Sequence, residues 1–559
     1  MHLSLFRDVK LSSKWWGWGD ASKSYDLETR PKFFKFLQER LEITGKIIQQ
    51  PVSLDSVHVS STRVEDAFVG RLVNIFGEDN VRLDEKERFL HSLGKGYLDL
   101  IRAWKGTPSR VPDVVVYPTD ESQVEQLLSE SARWSFVVVP YGGATSVVGG
   151  VESRTQDSKP VVCLDFRLMN KVLEVDERSL LAKVQPGCLG PELEQALNAA
   201  GLTLGHFPQS FEYSSVGGWV ATRSAGYEST RYGKIEEMVE NLRLVTPKGT
   251  IETPLVPASA TGPDLLQILV GSEGTIGVIT SVTLKLRKAP QSRSYVGVLF
   301  KTFTDGIDAV REMMQKEIVP NVTRLSDPNE TKASLALASH NGGSLVERVG
   351  TWYLTRRGYF GSEGVVMILA FEGSPEWVDF ERRRALAACR SYGGFSAGSD
   401  PGRTWHKERF DLPYLRDKLM GMGILVDTLE TATTWSRLLG LHSKVMAAFT
   451  AAFQELHVPG YAMAHISHEY RTGASLYFTF MAKQLSGREE EEWRLIKNRV
   501  TDVIVEAGAS LSHHHGIGVE HAKWMEQYYG PLGIQVLKAI KRELDPMTIM
   551  NPDKLLPAS

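Results

Sequence analysis

Apolar and polar positions change rhythm along the chain. Up to about residue 108 apolar residues recur at helical spacing among charges, as over 30–43 and 65–76. From Pro108 short strands alternate with helices: 111–118 reads as a strand bracketed by prolines, Asp120 caps a helix over 123–132, and 135–139 is a buried β-branched and aromatic strand. The runs 161–165, 171–175 and 180–184 read together as a short-strand meander. A helix over 191–201 follows, then a strand over 239–246, and a helix begun at 261–264 that ends in a glycine-rich loop flowing into a strand over 281–286. Around Lys288 the rhythm alters again, with strands at 294–300 and 364–372, helices at 304–316 and 376–392, and an alternating strand through 476–480. These units predict a second α+β domain built on an antiparallel sheet. The segments are a mainly helical region 1–108, a domain 109–290, a second domain 291–510 and a C-terminal segment 511–559. Three tryptophans in Lys14-Trp15-Trp16-Gly17-Trp18-Gly19 read as an arm packed on the body.

Composition narrows the class rather than the function. At 559 residues the chain predicts two or three domains, and 42% hydrophobic with 23% charged residues is the balance of an ordinary globular protein. A formal net charge of −3 gives no footing for nucleic acid. Cys163, Cys188 and Cys389 show no CxxC spacing, so neither a disulfide framework nor a zinc site is expected, and a reducing location follows. The charged first twenty residues make a poor signal peptide, and no apolar run approaches the roughly 18 residues that span a bilayer. Leu555 to Ser559 is not a Ser-Lys-Leu type peroxisomal address. A cytoplasmic protein is expected, with peripheral membrane contact left open.

Chemistry concentrates in three small-residue segments. Pro140-Tyr141-Gly142-Gly143-Ala144-Thr145-Ser146-Val147-Val148-Gly149-Gly150 offers bare backbone N–H groups and two hydroxyls after a strand, a combination that favours an anion such as a pyrophosphate. It is neither a Walker loop nor Gly-x-Gly-x-x-Gly. The segment 214–226, with Gly217, Gly218 and Gly226, lets backbone lie close to a flat ligand, and 271–280 is a second glycine-rich loop.

In this order and spacing the three segments resemble the FAD-binding domain of the vanillyl-alcohol oxidase type. Within that type the chain is most similar to the alkyl-dihydroxyacetonephosphate synthases, through 205–210 (Gly-His-Phe-Pro-Gln-Ser), 413–417 (Pro-Tyr-Leu-Arg-Asp), 473–478 (Gly-Ala-Ser-Leu-Tyr-Phe) and 512–518 (Ser-His-His-His-Gly-Ile-Gly). The resemblance covers about residues 12–556. It implies a two-subdomain FAD-binding fold at 109–290, an α+β substrate (cap) domain with an antiparallel sheet, and a C-terminal segment returning to the flavin. It implies exchange of the acyl chain of acyl-dihydroxyacetonephosphate for a long-chain (fatty) alcohol, in ether lipid synthesis without net redox change, by a homodimer. The family's third glycine is Ala144 here, which suits a backbone position of negative φ.

The resemblance places FAD, non-covalently, against Pro140, Gly142, Gly143, Ala144, Thr145, Ser146, Pro208, Gln209, Ser210, Ser215, Gly217, Gly218, Thr222, Ser224, Glu273, Thr275 and Ile279. Tyr477 matches the acid/base tyrosine. A phenol near pKa ~10 is a poor base alone, and protonated histidines beside it would favour the phenolate. His513, His514 and His515 are expected beside the flavin, trading protons near neutral pH. Consecutive residues of an extended segment face opposite ways, so the three cannot all bind one ion and no metal is expected. Arg416 matches the arginine that holds the substrate phosphate with its fork; read alone it would pair with Asp417 or Asp411. Arg324 and His206 match further active-site positions, and His465 and His468 are candidates for supporting roles. The alternative is an FAD-dependent oxidase or dehydrogenase of a 2-hydroxy acid or alcohol. Its His-x-Gly-Asp-Gly-Asn-x-His type motif is missing, where His465-Ile466-Ser467-His468 stands instead.

Overall fold

The computed structural model describes residues 13–154, 159–338 and 354–557. The first twelve residues of the charged N-terminal stretch and the last two of the C-terminal tail lie outside the described residues. The valine-rich runs of the 109–290 region are buried on both faces, as parallel strands require. Val114–Val116 and Val137–Tyr141 flank Val161–Asp165 in parallel, and Val81–Arg82 adds an antiparallel edge. Helices Asp66–Phe76 and Glu121–Ser129 pack on this sheet through Phe68, Leu72, Val124, Leu127 and Leu128. Asp120 caps the second helix, its carboxylate accepting the Gln123 N–H at 3.2 Å.

The expected meander is divided between two sheets. Val172–Asp176 and Leu181–Val184 leave the parallel sheet and join Val278–Lys285, Val239–Thr246 and Gly249–Glu252 in an antiparallel one. The break falls at Asp165, which accepts the Arg167 N–H at 2.9 Å and opens the short turn Phe166–Leu168. Alternation of residues identifies strands, not the sheet they enter.

Among the described residues the cap sheet has seven strands, all antiparallel, in the order Phe395–Ser396, Ser292–Phe300, Val365–Gly373, Val322–Ser326, Gly460–Glu469, Gly473–Lys483, Ile424–Thr434. Period-two alternation divides its faces: Leu476, Phe478 and Phe480 enter the core with Phe300, Phe371 and Phe449, while Tyr477 and Thr479 face a cavity. Each such buried aromatic or leucine contributes about 1.5–3 kcal/mol, so the cavity face is carried on a stiff support.

Among the described residues before 108, Val57, Phe89, Leu93 and Ala103 form a small core with Val111, and the remaining elements pack on the rest of the protein. Pro31–Leu41 packs through Phe33, Leu37 and Leu41 against Leu415, Leu419 and Tyr461 of the cap, and Tyr97–Lys105 enters the main cap core. The tryptophan arm is held by edge contacts of Trp15 with Phe89, Trp16 with Trp104 and Trp18 with Tyr213, at 5.6, 5.7 and 5.9 Å between ring centres. At the other end, after the kinked pair of helices over Met525–Leu544, the Asn551 N–H donates to the Val138 carbonyl at 2.8 Å, which brings the C-terminal segment beside the glycine loop.

Candidate active site

A cavity of about 960 Å³ lies between the two sheets of the 109–290 region and the cap. One end is walled by the 140–150 loop and the 208–226 and 273–279 segments. The other runs as an apolar arm among Phe33, Leu337, Leu415, Leu419 and Met481. A Cβ on Gly142 would stand 2.3 Å from Ser215 Oγ, and one on Gly143 1.9 Å from the Tyr213 carbonyl oxygen. Only glycine fits there, and the loop presents bare backbone to the cavity. This cradle, with the hydroxyls of Thr145 and Ser146 on its wall, fits a flavin dinucleotide.

Ala144 does not take the negative φ expected of it. Its φ is 56°, in the left-handed region, because the loop needs that turn whichever residue occupies it. All the expected cofactor-facing residues line the cavity except Thr275, whose hydroxyl is buried and donates to the Ser272 carbonyl at 2.7 Å. Glu273 links this wall to the histidine segment by accepting the N–H groups of Ile517 and Gly518, both at 2.7 Å. Burial pushes its carboxyl up to about 7.

Tyr477 projects from the cap sheet with rings on three sides. His465 stacks on it at 4.9 Å, His514 lies parallel at 6.0 Å and His515 edge-on at 5.6 Å. Burial pushes the Tyr477 hydroxyl up to about 12, with Asp427 and Glu430 adding to the rise and the Thr428 hydrogen bond opposing it. The histidines do not supply the expected positive charge: burial lowers His513 to about 3, His514 well below the usual range, and His515 below it too. The cluster is therefore a neutral phenol among neutral imidazoles.

The triple histidine is held from below by Glu430, a residue missed in the sequence. Its carboxylate accepts the Ser512 hydroxyl at 2.7 Å and the N–H groups of His514 and His515 at 3.1 and 2.9 Å, and it also accepts the His513 N–H. Against the cost of burial, these bonds hold its carboxyl well below the ordinary carboxylate range. Glu430 lies in a strand that also carries Asp427 and four threonines, so nothing in its immediate sequence sets it apart. His514 and His515 line the cavity, whereas His513 stands behind them, its Nε2 2.6 Å from the Tyr470 hydroxyl.

Arg416, on helix Leu412–Gly421, lines the cavity. Asp417 is taken by Lys14 at 3.0 Å and the Trp18 N–H at 3.1 Å, so the Arg416–Asp417 pair does not form. Arg416 donates to the Lys95 carbonyl at 2.8 Å, and its Nε is buried with no hydrogen-bond partner. Arg324 lies in a network instead, donating to Glu330 and standing 2.9 Å from His465 Nε2, with Glu330 2.9 Å from His465 Nδ1. Against the cost of burial, Arg324 and His465 hold Glu330 at about 2. His206 does not reach the cavity wall. It is buried against Trp219 and bonds the Ser224 hydroxyl at 2.8 Å, so it acts through Ser224, which does line the cavity.

Residues 112–253 match a family model described as an FAD binding domain, and 289–555 one described as the C-terminal domain of FAD linked oxidases. The chain is 35% identical to the alkyldihydroxyacetonephosphate synthase of Dictyostelium discoideum, over all of this chain and 94% of that protein. A solved alkyldihydroxyacetonephosphate synthase superposes with a TM-score of 0.84 at 33% identity, covering 98% of this chain and 100% of its own. Substrate-bound p-cresol methylhydroxylase shares the fold, with a TM-score of 0.66 at 16% identity over 89% of this chain and 99% of its own.

Proposed function

The chain belongs to the alkyldihydroxyacetonephosphate synthase family, and from that premise we propose how its own side chains carry the reaction. It is an FAD-dependent transferase that exchanges the acyl chain of acyl-dihydroxyacetonephosphate for a long-chain alcohol. The glycine cradle at 142–146 and the Ser215–Gly218 segment would hold FAD, which would supply an electron sink beside the reacting carbon for an exchange without net redox change.

Arg416 anchors the substrate phosphate. It is a buried guanidinium with an unused N–H, and it has no carboxylate partner among the described residues. To take the proton at C1 of the substrate, the neutral Tyr477 phenol first gives up its own proton to the His514–His515 pair beside it, and it recovers that proton when the C1 proton is returned. Arg324, Glu330 and His465 fix the plane against which the Tyr477 ring stacks. The apolar arm receives the alkyl and acyl chains and excludes water from the reacting carbon.

The observation that carries this reading is the convergence of Arg416, Tyr477, His514 and His515 on one cavity with the glycine cradle. Its test is a split of effects. Tyr477→Phe should lose turnover while keeping substrate binding, and Arg416→Ala should lose binding first. Equal loss of both in each variant would contradict the assignment.

A homodimer belongs to the same proposal. The segment Met525–Leu544 is two helices meeting at a kink at Gly530, and it exposes Tyr529 (56%) before the kink and Leu532 (73%) and Val536 (53%) after it, apolar side chains suited to a second copy, which analytical ultracentrifugation tests. Cytoplasmic location with peripheral membrane contact is proposed as well. No helix among the described residues is long and apolar enough to cross a membrane.

A further inference from the structure

We propose that His468, His513 and His514 form a binding site for a divalent transition metal, Zn²⁺ foremost, and that the bound metal holds the enzyme inactive. One ring nitrogen of each residue lies within 4.8 Å of the other two. Zn–N bonds of about 2.0–2.1 Å place tetrahedral ligands about 3.4 Å apart. The widest separation allowed here therefore closes by little more than an ångström.

Two departures from regular strand geometry build this set. His465 and His468, three residues apart, would point to opposite faces of a flat strand. The pairing of Gly460–Glu469 with Gly473–Lys483 slips between Ile466 and Glu469, and both histidines then line the cavity. The 513–515 run is not a strand either. Glu430 gathers its three N–H groups, and the His513 and His514 Nδ1 atoms stand 3.0 Å apart. Two of the three consecutive histidines can thus face one ion while His515 faces elsewhere.

The surroundings suit a metal. His468 Nδ1 is buried without a hydrogen-bond partner, a polar atom that folding has left unused. The Tyr470 hydroxyl at 2.6 Å from His513 Nε2 fixes that ring from outside, the role partners of ligating histidines play. Three imidazoles without a carboxylate select Zn²⁺, Co²⁺ or Cu²⁺ over Mg²⁺ and Ca²⁺. Glu430 is already saturated by hydrogen bonds. His468 and His514 line the cavity, so a fourth position opens toward it.

Binding stands on geometry alone. The inhibitory effect rests on the proposed function, because a ring nitrogen given to the metal is withdrawn from Tyr477's surroundings. The test uses FAD-loaded enzyme stripped with a chelator, given ZnCl₂ or CoCl₂ and desalted. Metal per flavin is counted by mass spectrometry, and Co²⁺ geometry is read from its visible bands beyond the flavin absorption. One metal per chain is expected, with retention falling about tenfold or more in His468→Gln and His513→Gln. The flavin spectrum reports that both variants fold. Turnover should fall about tenfold on loading and return with chelator. No stoichiometric retention by the wild type, or undiminished retention in both variants, overturns the site. Full turnover with metal retained overturns the inhibition. Ether synthesis by the metal-free enzyme tests the proposed function separately.

Discussion

Glu430 and Tyr477 face each other directly across the antiparallel pairing of Ile424–Thr434 with Gly473–Lys483. The carboxylate that gathers the histidine segment and the phenol it serves therefore share one rigid ladder. Glu430→Gln keeps the shape and loses the charge that binds three backbone N–H groups. Charge-assisted bonds contribute about 1.5–3 kcal/mol each. Turnover should fall about 10- to 100-fold with flavin content kept, as measured by steady-state rate and flavin absorbance.

Tyr477→Phe removes only an oxygen. General acid–base groups contribute about 10²–10⁴-fold, so turnover should fall by that factor, while a non-reacting phosphate analogue binds with unchanged affinity by flavin fluorescence titration.

Arg416→Ala removes a buried cation aimed at the cavity. Truncating one partner of a buried charge pair costs about 2–5 kcal/mol, so apparent affinity for acyl-dihydroxyacetonephosphate should drop about 30-fold or more. Arg416→Lys should recover part of it, because the charge returns without the fork.

Ala144→Gly should stabilise the protein. A left-handed non-glycine residue costs about 1–2 kcal/mol, partly offset by glycine's freedom in the unfolded chain, about 0.5–1 kcal/mol. A rise in thermal midpoint with FAD retained is expected. A fall would show that the alanine methyl makes a contact worth more than the strain.

Glu492 gives a pH-dependent prediction away from the site. Burial raises its carboxyl from 4.5 to about 7, and its Oε2 accepts the Leu485 N–H at 3.0 Å while Oε1 has no partner. A raised folded-state pKa means that the proton binds the folded chain more tightly. This contribution is full below about pH 4.5 and is lost as pH rises through about 7. Glu492→Gln mimics the protonated form. At pH 8 it should be more stable than the wild type by about 3 kcal/mol, and the difference should vanish near pH 4.5.

Local chemistry made much of this legible in the sequence. The Asp120 cap, the alternation that turns Tyr477 away from the core, and the glycine cradle each depend on residues close together in the chain. What escaped depends on pairing. Glu430 meets the histidines from another strand, and a slip in register turns His468 toward them. Burial, which sequence does not display, decides that Tyr477 is a neutral phenol and that His206 and Thr275 stop short of the cavity. The Asp165 turn that splits the meander and the left-handed turn at Ala144 likewise come from how the chain closes on itself.

The most direct measurement incubates the purified flavoprotein with acyl-dihydroxyacetonephosphate and labelled hexadecanol, following ether product, fatty acid and oxygen together. Alkyl-dihydroxyacetonephosphate formed one-for-one with fatty acid, without oxygen uptake, is the expected result. No ether product, with flavin bleached by a 2-hydroxy acid or an alcohol, would contradict it.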